Sequence, residues 1–282
     1  MENVVEVNSS AEGMLLWRKI YFASLATGEE PQWPLKVHFN YGMIHNMHID
    51  RLITKNVSYL VFGRKCTFQK DARAYAAKHV LALQHLDTLI LDSIVIQAAT
   101  ITKVILGSNI SMTLRTLTLH QIPWHVHRES ALKFMKALSF NHVLCHLDLG
   151  AFSIYFMTGR KTSMLFYKLG LAIGRATCSL KTLQETSYLI TYEDIFCFHK
   201  GFCQDVEGIS RKRMATRKIC LQELTMFLHS EQATKKAVLY LIQILNEVPS
   251  LAAMNLDLQG WFPYYGKVRA FIGDIVHPNH LT

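Results

Sequence analysis

The chain has 282 residues, half of them hydrophobic and 18% charged, which excludes a disordered polymer and leaves ample material for a continuous core. Its formal net charge of +9 and pI near 9.2 suit an acidic partner, whether nucleic acid, anionic membrane or acidic protein, without choosing among them. The six cysteines (Cys66, Cys145, Cys178, Cys197, Cys203 and Cys220) form no C-x-x-C pair and are too sparse for a disulfide scaffold.

In chain order, Met1 to Gly13 is acidic and polar, with no basic stretch leading into an apolar one. No apolar run reaches the ~18 residues of a membrane span. These features lead to the expectation of a reduced, soluble protein of the cytosol or nucleus. Met14 to Leu25 reads as a short helix, Pro34 to Phe39 as a strand, and Ile44 to Thr54 as the helix that follows it. Residues 1–56 are therefore expected to form an N-terminal helix and capping unit.

From Val57 a six-residue pattern, apolar-x-x-apolar-x-apolar, recurs. It begins at Val57, Leu86, Leu114, Leu144, Leu180, Leu221 and Leu251, at intervals of 29, 28, 30, 36, 41 and 30 residues. One such pattern is worthless because leucine is common; seven in near-register are not accidental. The fourth and sixth positions project to one face of a short strand. Between strands the period changes to helical. Asp71–Leu83 carries Ala72, Tyr75, Ala76, His79, Val80 and Leu83 on one stripe. Arg128–Phe140 carries Leu132, Met135 and Leu138, and Glu231–Asn246 carries Val238, Leu241, Ile242 and Leu245. Ser230 suits the cap of that last helix, and Pro249 its stop.

Each unit is then one strand and one helix, unable to bury its apolar side alone, and stacking supplies a shared core. The expected architecture is an α/β solenoid, a horseshoe of seven or eight repeats with parallel concave strands and convex helices. It spans residues 57–260, and residues 261–282 form a tail. The intervals from Leu144 and Leu180 are long and are read as insertions or distorted helices; Glu185 breaks the strand pattern of the second. The pattern resembles the leucine-rich repeat, in its long, ribonuclease-inhibitor-like variety. Trp33 to Phe39, followed by Ile49 to Phe62, also resembles the junction between F-box and repeats in F-box/leucine-rich-repeat proteins. With no Leu-Pro before Trp33, a complete F-box is not expected. The resemblance implies a non-catalytic scaffold that binds a protein, in the narrower case the substrate-recognition subunit of a ubiquitin ligase. A stand-alone inhibitor or sensor scaffold is the first alternative, and a basic nucleic-acid or anionic-surface binder the second.

Strand alternation predicts which residues line the concave face. The third, fifth and seventh positions nominate Tyr59, Val61, Ile90, Asp92, Thr116, Thr118, His120, His146, Asp148, Thr182, Gln184, Glu223, Thr225, Phe227, Asn255 and Asp257. This surface is neutral and rich in threonine, so the positive charge belongs elsewhere, which weighs against nucleic acid. Tyr59, Ile90, Phe227 and Trp124 are the candidate anchors. The tail, with Trp261, Phe262, Tyr264 and Tyr265, is read as a cap on the last repeat.

Other chemistry is sparse. Cys197, His199, Cys203 and Cys220 are zinc-ligand types, but their spacing matches no common zinc module, and buried free thiols are the reading adopted. His120, His125 and His127 surround Trp124, with His142 and His146 following; a metal site or pH response competes with scattered surface histidines, the reading adopted. The run Arg211–Lys218 reads as a nuclear-import signal, a phosphate-contacting patch or a solvated helix face. No phosphate-binding loop, nucleophile elbow, zinc-protease helix or dinucleotide fingerprint occurs, so neither an enzyme nor a cofactor is expected.

Overall fold

The computed structural model describes residues 4–7, 26, 35–53, 56–92, 101, 112–120, 128–150, 162–174, 179–204, 220–228, 239–241, 243–244, 251 and 253–257. Their elements are β1 (Val4–Val7), β2 (Leu35–Ile44), α1 (Asn46–Leu52), β3 (Val57–Phe68), α2 (Ala72–Ala82), β4 (Thr88–Leu91), β5 (Thr116–Leu119), α3 (Arg128–Leu138), β6 (His146–Asp148), α4 (Thr162–Ile173), β7 (Thr182–Ile190), α5 (Tyr192–Gln204), β8 (Glu223–Leu228) and β9 (Ala253–Asp257). The chain is an α/β protein. Among the described residues nine strands form one sheet in sequence order, and each neighbouring pair is parallel.

The register of that sheet is the alignment of the six-residue patterns. Fourth positions pair across the sheet: Leu60 with Leu89, then Leu117, Leu147, Leu183, Leu224 and Met254. Val37 of β2 continues the row on the other side. Every member from Val37 to Leu224 is buried. The sixth-position row, from Phe39 and Phe62 through Leu91, Leu119 and Leu149 to Met226, is buried too. Glu185 sits in this row by register, opposite Met226, where the pattern breaks. First positions Val57, Leu86, Leu114, Leu144, Leu180 and Leu221 complete the core. At the β2 end, Phe39 and Phe62 stack at 5.2 Å in place of a leucine pair.

The backbone repeats with the side chains. At the second position, the N–H of Asp87 donates to Ser58 O (2.8 Å), Arg115 to Asp87 O (2.8 Å), Cys145 to Arg115 O (2.8 Å), Lys181 to Cys145 O (2.7 Å) and Gln222 to Lys181 O (2.7 Å). The two long intervals therefore start and end on the same second-position contact as the regular ones, although β7 departs from register between Glu185 and Ile190. Their helices, α4 and α5, are 12 and 13 residues against 11 for α2 and α3. Residues 151–161 and 205–219 of those intervals lie outside the described residues.

Helices α4 and α5 approach unusually closely, and glycine permits it. A Cβ on Gly170 would stand 2.0 Å from Phe198 O, one on Gly201 2.0 Å from Tyr167 O, and one on Gly174 2.5 Å from Phe202 O. The same pair is pinned at its start. Thr191 and Asp194 form a capping box at the N-terminus of α5: Thr191 N–H donates to Asp194 Oδ2 (3.0 Å) and Asp194 N–H to Thr191 Oγ1 (3.2 Å). Ser163 of α4 donates to the other carboxylate oxygen at 3.3 Å, so the fully buried Asp194 is satisfied on both oxygens.

One strand was not foreseen: β1, within Met1–Gly13, pairs in parallel with β2 from Val4↔Lys36 to Val7↔Phe39. Alternation around Glu6 was the available signal, but a four-residue strand has no helical partner motif to announce it. The expected helix Met14–Leu25, most of Glu231–Asn246 and the tail from Gly260 lie outside the described residues.

Replacing Gly170 with alanine opposes two effects. Helix propensity gains at most about 1 kcal/mol, whereas a methyl driven against backbone costs about 1–3 kcal/mol. The clash wins because a carbonyl cannot rotate away, so Gly170→Ala is expected to lower urea-unfolding stability by about 1–2 kcal/mol.

Candidate binding face

The side chains opposite the core lie on the third, fifth and seventh positions. The third-position row runs Lys36, Tyr59, Thr88, Thr116, His146, Thr182 and Glu223 to Ala253. The fifth runs His38, Val61, Ile90, Thr118, Asp148, Gln184 and Thr225 to Asn255. Alternation thus brings the nominated residues onto common rows. Their exposure is graded: His146, Gln184 and Glu223 are exposed, Tyr59, Val61, Ile90, Thr116, Thr118, Thr182 and Thr225 are half-buried, and Thr88 is buried. Neighbouring strands less than 5 Å apart shade one another, so a row of short side chains is only partly open. Phe227, Asn255 and Asp257 hold their expected register positions by backbone pairing. Trp124, His125 and His127, like Arg211–Lys218, lie outside the described residues.

Strand β2 adds Lys36 and His38, which the reading of the sequence did not place on the face. The signal was present as alternation in Lys36-Val37-His38-Phe39. Lys36 Nζ sits 5.9 Å from the Tyr59 ring centroid, and His38 lies against the same ring at 5.2 Å. Tyr59 is therefore a flanked aromatic rather than a free anchor.

The most connected group on the face is Asp92, His120 and Asp148, drawn from three successive units. Asp92 and His120 are both seventh positions, kept in the ladder by Asp92 N–H to Phe62 O and His120 N–H to Leu91 O, each 2.8 Å. His120 Nδ1 lies 3.2 Å from Asp92 Oδ1, and Nε2 lies 2.9 Å from Asp148 Oδ2. Asp148 is a fifth position, and its other oxygen accepts from Gly150 N–H at 2.8 Å. The hydrogen bond and charge of Asp148 raise the proton affinity of His120 above its ordinary value; burial works against them and Asp92 adds to them. With both nitrogens committed to carboxylates, the ring has none left to take a proton from a substrate. The arrangement holds charge in place; it is not poised as a general base.

Beside it, His146 Nδ1 lies 2.9 Å from Thr182 Oγ1, linking β6 and β7. Gly150, at φ +56°, makes the turn after β6. A Cβ there would meet His120 Cδ2 at 2.9 Å and Leu119 O at 3.0 Å.

The cysteines divide. Cys66 is buried, donates to Phe39 O at 2.8 Å, and burial pushes its thiol up to about 11. Cys197 is half-buried, and burial, with the charge of Asp194 second, raises its thiol as well. Cys203 Sγ lies 3.2 Å from His199 Nε2, one helical turn away on α5. Among the described residues no three His, Cys, Asp or Glu side chains are grouped to hold a metal ion. Among the same residues no helix is long and apolar enough to cross a membrane.

No family model matches the chain, and no curated protein matches it. Among solved structures it is similar to one described as leiomodin-1 actin-binding site 2, at 15% identity and a TM-score of 0.33, over 52% of this chain and 73% of that one. A likeness at that level carries no argument about this chain's fold or partner.

Gly150→Ala places a side chain in the left-handed region, at a cost of about 1–3 kcal/mol, and displaces the His120 ring. Chemical denaturation is expected to register that loss. A second change, His120→Ala, made in the Gly150→Ala background, is expected to restore part of it.

Proposed function

We propose that this chain is a leucine-rich-repeat solenoid of the long, ribonuclease-inhibitor-like kind, working in the cytosol or nucleus as a non-catalytic protein-binding scaffold. The observation that carries the reading is the register. Seven patterns, spaced from 28 to 41 residues apart, align position for position in one parallel sheet. Such an array buries its leucines on one side and offers parallel rows of side chains on the other. A partner binding there spends little on ordering the receptor, because the rows are already fixed by the sheet. The site proposed for the partner is the concave face, centred on Ile90, Thr118, Asp148 and Gln184.

Charge favours a protein over a nucleic acid. In a chain of net charge +9, the outward rows carry Asp92, Asp148 and Glu223 against Lys36. Glu6 and Asp257 hold register positions on the same rows. Phosphates entering this face would meet carboxylates instead of releasing counterions onto lysines. The narrower form of the proposal, a substrate-recognition subunit of a ubiquitin ligase, rests on the junction-like run of Trp33 to Phe39 followed by Ile49 to Phe62 alone. A stand-alone inhibitor or sensor scaffold is the second reading.

Affinity purification with mass spectrometry tests these together, using the wild-type chain, Ile90→Glu and Phe227→Glu. One prey lost with Ile90→Glu, while the protein stays folded by circular dichroism, is the expected result. Cullin-ligase subunits among the prey support the receptor form, and a tight prey without them supports the stand-alone form. Loss of nothing by either substitution removes the concave face as the site. Nucleic acid retained with a steep fall in affinity as salt rises overturns the protein-binding reading.

A further inference from the structure

The contacts of His120 set a proton-counting problem. A neutral imidazole has one N–H, so it donates to one carboxylate and must turn a lone pair toward the other. Both of its nitrogens lie within hydrogen-bond distance of carboxylate oxygens, Asp92 at 3.2 Å and Asp148 at 2.9 Å. Only the imidazolium, with two N–H groups, donates to both. We propose that His120 is held as an imidazolium and acts as a pH-sensitive clasp across the C-terminal ends of β4, β5 and β6.

The surroundings are built for that role. Among the described residues the charged groups acting on the ring are Asp92, just past β4, and Asp148, on β6; Gly150, also against the ring, is neutral. Asp148 is held by its acceptance of Gly150 N–H, so its second oxygen stays directed at Nε2. His120 has a side-chain exposure of 37% and Asp148 of 20%, so protons reach the cluster while water screens it incompletely. Both carboxylates favour the charged ring, and the folded-state proton affinity lies above the unfolded value near 6.5. The sign follows: the clasp contributes fully below pH 6.5 and loses its contribution as pH rises through the higher folded value. Beyond that point one contact becomes a lone pair facing a carboxylate, and the centre of the face loses its one positive charge. The clasp is a property of the free protein and does not depend on the binding proposal.

Imidazole carbon–proton correlation spectra of the full chain, recorded from pH 5.5 to 9, test it. One histidine is expected to titrate above the ordinary value, and His120→Gln is expected to remove that signal. Asp148→Asn preserves the size of the side chain and its acceptor for Gly150 N–H, but removes the charge; it is expected to lower the midpoint, and Asp92→Asn to lower it less. In parallel, the difference in melting temperature between wild type and His120→Gln is expected to shrink between pH 6 and pH 9. A His120 midpoint at or below the ordinary value, or one unmoved by Asp148→Asn, overturns the proposal. Should His120→Gln fail to fold, the resonance displaced by Asp148→Asn identifies the residue, and no displaced resonance is equally an overturning result.

Discussion

Everything in this molecule depends on a mutual debt between neighbours. Strand β6 is three residues long and strands β4 and β5 are four, lengths that have no stability alone in water. Each is held by a strand on both sides, and each of its leucines is covered by leucines two units wide. Leu147 is buried because Leu117 and Leu183 flank it, and they are buried for the same reason. Register therefore cannot slip by one residue at any strand without turning that strand's leucines toward water and uncovering those of its two neighbours.

That constraint explains what was legible in the sequence. A row of seven apolar patterns has one alignment that keeps every leucine paired, and the sheet adopts it. The pairing of Asp92 with the His120 position follows from it too, since both are seventh positions in consecutive units. The contact of His120 with Asp148 does not follow. Asp148 is two positions earlier in its strand, and reaching His120 takes a diagonal approach completed by the turn at Gly150. The α4–α5 contact was hidden for a different reason. Gly170 and Gly174 mark a smooth helix face, but nothing local says that Phe198, Phe202 and Gly201 lie against it. Strand β1 escaped because four residues carry too few alternations to stand above a polar background.

The distribution of charge separates two jobs that the net value merges. Among the described residues the outward rows carry Asp92, Asp148 and Glu223 against Lys36, so the excess of basic residues sits off those rows, where it colours long-range attraction. The face has a composition of its own: threonines at Thr116, Thr118, Thr182 and Thr225, a few carboxylates, one lysine at its β2 end and imidazoles between. Recognition there would turn on hydrogen bonds and shape more than on bulk attraction, with His120 setting the local sign.

The glycines between α4 and α5 also shape the sheet. Parallel strands advance by about 4.8 Å, while packed helix axes are about 8–10 Å apart. A helix layer laid on a strand layer must therefore splay like a fan, and the ratio of the two steps sets its radius. Where Gly170, Gly174 and Gly201 let backbone rest on backbone, the outer step shortens toward the inner one. The step between β6 and β7 is thus the one that a side chain at any of these three glycines would widen, and with it the spacing of the rows bearing His146, Asp148, Thr182 and Gln184.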